Sequence, residues 1–228
     1  MIREPFITNS FYHILNRGVE KREIFMDDTD RRRFLIYLSV CNTDSPIVNL
    51  SEKIARNEIE VPPRLDRLVH IVAYCLMRNH FHILLSQAKD GGVEQFMRKL
   101  GTGYTMFFNK RYERVGPLFQ GVFKAVTVDD DSYLNYLPHY IHFNPLDFSN
   151  PTWRENKIQD RTNALQNIKL YPWSSFSHYS GKIKDPIIDE ESIITLFSDR
   201  KFIINSMEEW LNDMAAKNNL INSGIVLE

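Results

Sequence analysis

LVHIVAYCLMRNHFHILLS, residues 68–86, decides how the chain folds. It divides into two apolar runs, LVHIVAYCLM and HFHILLS, joined by Arg78-Asn79, and a tight antiparallel hairpin is the simplest reading. A strand turns successive side chains to opposite faces, so His80 and His82 share one face while Phe81 and Ile83 point to the other. Two imidazoles side by side in mid-strand make a platform for a divalent cation that keeps open positions for a substrate. Two half-buried sheet histidines would give the same spacing.

Working outward, FYHILN (11–16) reads as a strand that Arg17-Gly18 ends. Behind an acidic first turn at Asp28, the residues Phe34, Leu35, Leu38 and Cys41 recur with helical spacing. Residues 43–67 are polar, contain Pro46 and Pro62-Pro63, and read as a loop insertion with one short helix near Leu50 to Asn57. After the hairpin, Gly91-Gly92 opens a helical pattern through Val93, Phe96, Met97, Leu100 and Tyr104, in which Gly101 and Gly103 each cost about 1 kcal/mol relative to Ala. LFQGVFKAVTV (118–128) alternates as a strand, and Asp129 to Ser132 supply the cap and acidic first turn of a helix that ends before Pro145.

The order strand, helix, strand, strand, helix, strand defines an α+β fold, a ferredoxin-like βαββαβ antiparallel sheet backed by two helices and followed by a tyrosine-bearing helix. Residues 146–170 are polar and irregular in pattern. YPWSSFSHYSG and two helices expected over 189–198 and 203–217 form a helical C-terminal appendage, so the chain divides into units 1–150 and 151–228.

The 228 residues are 43% apolar, enough for a substantial core. No stretch approaches the ~20 apolar residues of a membrane span, and the start lacks a signal-peptide pattern, so the expected location is the cytoplasm and no membrane partner is expected. Cys41 and Cys75 lack the spacing of a zinc knuckle and are expected as buried thiols. The formal net charge is −1, but charge is unevenly placed. Residues 91–127 carry six basic side chains (Arg98, Lys99, Lys110, Arg111, Arg114, Lys124) against Glu94 and Glu113, a local +4, whereas the last 78 residues carry nine basic against eleven acidic. A local basic surface suffices for nucleic acid.

On the helix after the fourth strand, Tyr140 and Asn144 lie four residues apart and so on one face. If that helix packs across the histidine face, Asn144 can serve as a third, oxygen-donating ligand and Tyr140 as a nucleophile one turn away. A phenol with an ordinary pKa of about 10 is a weak nucleophile and needs a polarised electrophile, which suits a phosphodiester better than an amide. Tyr133 and Tyr136 share the helix; Asn144 one turn on favours Tyr140. Pro138, two residues before Tyr140, costs ~3 kcal/mol in a helix interior unless the helix kinks or restarts. His139 and His142 are expected on other faces, exposed or in packing, and His13 and His70 are left outside the site.

The segments YHILNRG (12–18), MRNHFHILL (77–85), YTMFFNKRYERVGPLFQGVFKA (104–125), YIHFNP (140–145) and YPWSSF (171–176), with Tyr140 58 positions after His82, resemble the single-tyrosine HUH transposases, in particular the REP-associated tyrosine transposases and their insertion-sequence relatives. The resemblance covers residues 8–180. It implies Tyr140 as the nucleophile, His80, His82 and Asn144 as ligands of Mg²⁺ or Mn²⁺, and nicking and strand transfer of single-stranded DNA, commonly beside a hairpin, through a 5′-phosphotyrosine. Arg17, Arg78, Arg98, Lys110, Arg111, Arg114 and Lys124 are the candidate contacts to DNA phosphates, with Phe107, Phe108 or Tyr112 available to stack on bases. Both a monomer and a homodimer fit the resemblance. Two other readings compete: a non-catalytic nucleic-acid-binding protein that retains the fold, and a metallohydrolase using His80 and His82 with a water nucleophile.

Overall fold

The computed structural model describes residues 4–155, 158, 160–197, 205–207 and 209. Strands β2 (Val69–Leu76) and β3 (His80–Gln87) form the hairpin, with Cys75 opposite His82 and Leu76 opposite Phe81, and the Met77 N–H donating to the His80 carbonyl across the turn at 2.8 Å. Strand β1 (Phe11–Arg17) lies on the other side of β3, antiparallel, with Leu15 opposite His82 and Arg17 opposite His80. Strand β4 (Lys124–Val128) pairs antiparallel with β1. The order β2-β3-β1-β4, with every neighbour antiparallel, is the ferredoxin-like topology.

Helices α1 (Asp28–Val40) and α3 (Gly92–Arg111) pack against each other on the Phe81 face. Phe34 lies 4.9 Å from Phe81 and 5.0 Å from Tyr104, centroid to centroid, and Phe25 lies 5.2 Å from Phe34, an aromatic core under the sheet. Asp27 caps α1 by accepting from the N–H groups of Thr29 and Asp30. The insertion holds one short α-helix, α2 (Leu50–Ala55), and a single 3₁₀ turn, Arg64–Asp66.

Helix α4 (Asp131–Phe143) crosses the opposite, histidine-bearing face, in contact with β2, β3 and β4. The Asp130 carboxylate accepts from the Tyr133 N–H at 2.7 Å, and the helix continues through the buried Pro138 without interruption. It passes into a 3₁₀ turn, Asn144–Phe148, with Pro145 in its first turn, where the missing N–H costs nothing.

Two local expectations change. The stretch 118–128 is a strand only from Lys124; Phe119 makes one bridge to Gly18, and the positive φ of Gly121 (75°) interrupts the ladder between them. Within the polar stretch 146–170 lies helix α5 (Arg161–Leu170), capped by Asp160 and docked through Ala164 and Ile168. Its sparse apolar stripe carries little periodic signal.

After α5, the chain covers the outer edge of β2. The Leu76 N–H donates to the Trp173 carbonyl (2.9 Å), the Ser175 N–H to the Tyr74 carbonyl (3.0 Å), and the Tyr179 hydroxyl to the Val72 carbonyl (2.8 Å). Helix α6 (Phe176–Tyr179) follows, then a parallel bridge from Ile71 to Ile188 and helix α7 (Glu190–Phe197), within the expected 189–198. The helix expected over 203–217 lies outside the described residues except for 205–207 and 209. Cys41 and Cys75 are buried free thiols.

Candidate active site

The alternation of β3 aims His80 and His82 at α4, their rings 5.1 Å apart between centroids and nearly perpendicular. His80 Nδ1 lies 2.7 Å from Asn79 Oδ1, and His82 Nδ1 lies 2.9 Å from Nε2 of His13 on β1. Each ring is thus oriented through Nδ1, which leaves Nε2 to meet a ligand. Burial lowers the His80 pKa to about 4, and burial, reinforced by His80, His13 and Arg154, holds His82 well below the ordinary histidine value. Both rings are neutral at pH 7, the form that ligates a metal.

Helix α4 brings Tyr140 onto this pair. Its ring centroid lies 5.9 Å from that of His82 and 6.1 Å from that of His13, both edge-on, and the side chain is 8% exposed. Tyr136, one turn earlier, is also buried, its ring centroid 6.1 Å from that of Tyr140. Asn144 is fully buried at the helix end. Its amide nitrogen donates to the carbonyls of Tyr140 (2.9 Å) and Ile141 (3.3 Å), and its oxygen accepts from Arg154 Nη2 at 3.1 Å. His139 and His142 are both buried in packing, where they meet Ser206 (3.0 Å) and Ser175 (2.8 Å).

His13, Asp147, Trp153 and Arg154 also belong to this cluster, and the sequence did not single them out. Asp147 accepts from Trp153 Nε1 (2.5 Å) and from Arg154, whose guanidinium stands 5.8 Å from the Tyr140 ring centroid and 4.5 Å from that of Trp153. Burial opposes the Arg154 charge, but Asp147 and Tyr140 outweigh it and raise its pKa above the ordinary arginine value. For His13 the signal was partial: alternation groups it with Leu15 and Arg17 on one face of β1, and only the register with β3 makes that the histidine face. For Asp147 and Arg154 there was none, because they lie beyond the helix in a stretch without periodicity.

The seven basic candidates separate by position. Arg17 and Lys124, opposite His80 and Leu15 in register, lie on the histidine face and line a small cleft of about 100 Å³ with Asn16 and Gln120; Arg17 Nε donates to Gln120 at 2.6 Å. Arg78 occupies the hairpin turn, 3.0 Å from Glu23. Arg98, Lys110 and Arg111 are carried by α3 and Arg114 follows it, all behind the sheet. Arg111 is held by Asp27 (2.6 Å) and the fully buried Asp30 (2.7 Å), and Arg114 by Asn109 (2.8 Å). A separate apolar groove of about 870 Å³, lined by Met97, Met106, Phe119 and Phe123 among others, also opens on the α3 side.

The ferredoxin-like sheet thus presents paired imidazoles to a tyrosine on a covering helix. Residues 64–144, which hold both histidines, Tyr140 and Asn144, match the family described as transposase, IS200-like. The chain is also similar to a solved structure of a REP-associated tyrosine transposase bound to a REP hairpin, with 14% identity and a TM-score of 0.49 over 82% of this chain and 88% of that one. Among curated proteins, none matches the chain.

Proposed function

We propose that the protein nicks and rejoins single-stranded DNA through a covalent bond to Tyr140, with the unit 1–150 carrying the chemistry and 151–228 supporting it. The observation that carries this reading is the placement of the Tyr140 ring within 6 Å of the His82 ring, on the one sheet face where two neutral imidazoles keep Nε2 available. The resemblance implies Mg²⁺ or Mn²⁺, which His80 and His82 would hold as nitrogen ligands and Asn144 as the oxygen ligand once its oxygen is released from Arg154. Such an ion, when bound, neutralises charge on the scissile phosphate.

The residues of the chain divide the remaining work. Tyr140 attacks phosphorus in line; the new bond joins the phenolic oxygen to the 5′-phosphate, and the bond from phosphorus to the 3′-oxygen breaks. The phenolic proton passes to water and the leaving oxygen takes one from water, ending as a 3′-hydroxyl. Because a phosphodiester is exchanged for a phosphodiester, the reverse attack by a 3′-hydroxyl rejoins strands without a nucleotide cofactor. Burial of Tyr140 against His13, His82 and Trp153 fixes the direction of approach. Arg17 and Lys124 beside the cleft are placed to hold the neighbouring phosphate.

The test is incubation of the full chain with Mn²⁺ and end-labelled single-stranded hairpin DNA, followed by a denaturing gel. Label that migrates with protein in the wild type and in Tyr136→Phe, and is lost in Tyr140→Phe, is the expected result. Binding without an adduct identifies a DNA-binding protein that keeps the fold, and cleavage that survives Tyr140→Phe identifies a water nucleophile.

A further inference from the structure

Asn144 has one atom to offer a cation, its side-chain oxygen, because its amide nitrogen is committed to the carbonyls of Tyr140 and Ile141. That oxygen is held by Arg154 at 3.1 Å. The same guanidinium is anchored through its other terminal nitrogen to Asp147, lies over the Trp153 ring, and retains about a third of its side-chain surface in contact with solvent. A fixed positive charge therefore occupies the oxygen that a divalent ion would need. A guanidinium also pairs in bidentate fashion with phosphate, more strongly than with a neutral amide oxygen.

We propose that Arg154 is a positioning residue that links cation binding to substrate binding: without DNA it holds the Asn144 oxygen and opposes a divalent ion, and a DNA phosphate draws it off that oxygen. The proposal rests on the site reading given above. Asp147 acts as the pivot, since its bond to Nη1 is separate from the bond that breaks. Cation and DNA then bind cooperatively, each raising the affinity of the other by the same factor. A guanidinium that merely propped Asn144 in place would have the opposite effect, since its removal would loosen the ligand.

The test measures Mn²⁺ binding by the electron paramagnetic resonance of the free ion, using the full chain in a Tyr140→Phe background so that no strand is cut. Without DNA, Arg154→Met is expected to bind Mn²⁺ roughly fivefold or more tightly than its parent, the effect of one unit charge a few ångström away in a partly hydrated site. Single-stranded hairpin DNA is expected to raise the affinity of the parent by a similar factor and that of Arg154→Met by far less. A His80→Ala/His82→Ala chain separates the two ideas. Histidine-dependent Mn²⁺ binding that is unchanged or weakened in Arg154→Met overturns the role of Arg154 and leaves the site reading intact. Mn²⁺ binding indifferent to both histidines, with and without DNA, overturns the site reading as well. If Arg154→Met fails to fold, Arg154→Gln replaces it, and a parent chain whose Mn²⁺ affinity ignores DNA is by itself enough to refute the link.

Discussion

His13 Nε2 and His82 Nδ1 meet at 2.9 Å, diagonally across β1 and β3, with both side chains buried. For His82 to present Nε2 to a cation, its Nδ1 must carry the proton and donate to His13. Burial lowers the His13 pKa to about 3, so it remains the neutral acceptor. His13→Ala is expected to weaken Mn²⁺ binding by roughly 10–100-fold, as loss of a ligand's supporting partner does, while His13→Gln restores much of it by returning an acceptor. Calorimetric titration with Mn²⁺ checks both; a His13→Ala chain with wild-type affinity would disprove the arrangement.

The basic residues should fall into two groups. Arg17→Ala and Lys124→Ala are expected to weaken single-stranded DNA binding and each to reduce the salt slope by about 0.7, the effect of leaving one phosphate without its cation. Arg111→Ala should behave differently, because Arg111 is tied to Asp27 and to the buried Asp30. Tyr112 Oη and the Met26 N–H still bond Asp30 in its absence, so the expected loss is about 1–3 kcal/mol of stability with DNA affinity little changed. Urea unfolding and fluorescence anisotropy over a salt series distinguish the two groups.

Gly101 and Gly103 sit two residues apart in α3 and should respond in opposite directions. A Cβ added at Gly101 meets nothing within 4 Å, so Gly101→Ala is expected to stabilise by up to about 1 kcal/mol through helix propensity. A Cβ at Gly103 would lie 2.7 Å from Cε1 of Tyr37, in the seam between α1 and α3. Gly103→Ala should therefore destabilise by about 1–3 kcal/mol, with Tm moving about 2–4 °C per kcal/mol in opposite senses for the two variants.

Acid should destabilise the metal-free protein through its buried histidines. Burial, reinforced by His139 and His178, lowers the His142 pKa from 6.5 to about 3. A folded-state pKa below the unfolded one means that the unfolded chain binds more protons, so stability falls as pH drops below 6.5 and levels off below 3. The contribution of His142 at the acid end is on the order of a few kcal/mol. In EDTA, His142→Gln, which keeps a partner for Ser175 but cannot take the proton, is expected to lose part of the fall in urea midpoint between pH 6.5 and 4.

The hairpin was legible because LVHIVAYCLM and HFHILLS are continuous apolar runs around a two-residue turn, and β2 and β3 occupy those runs. Side-chain alternation then gave the shared face of His80 and His82, and helical spacing gave Tyr140 and Asn144 a common side of α4. Pro138 did not displace Tyr140, since the helix continues through it. What pattern could not supply was the meeting of segments distant in sequence. Nothing near Asn144 announces that its oxygen meets Arg154, and nothing in the charge of residues 91–127 shows that α3 carries most of it behind the sheet. The aromatic residues Tyr104 and Phe108, at helical spacing, are buried in the core, whereas Phe107 is only partly buried and meets Arg33.

The segment laid along β2 limits how two copies of the chain could associate. With carbonyls of Val72 and Tyr74 and the Leu76 N–H already satisfied from within, β2 offers no free ladder there for a second molecule to continue. A continuous eight-stranded sheet built across β2 is therefore not open to this protein, and the opposite edge of the sheet is the five-residue β4, which begins at Lys124.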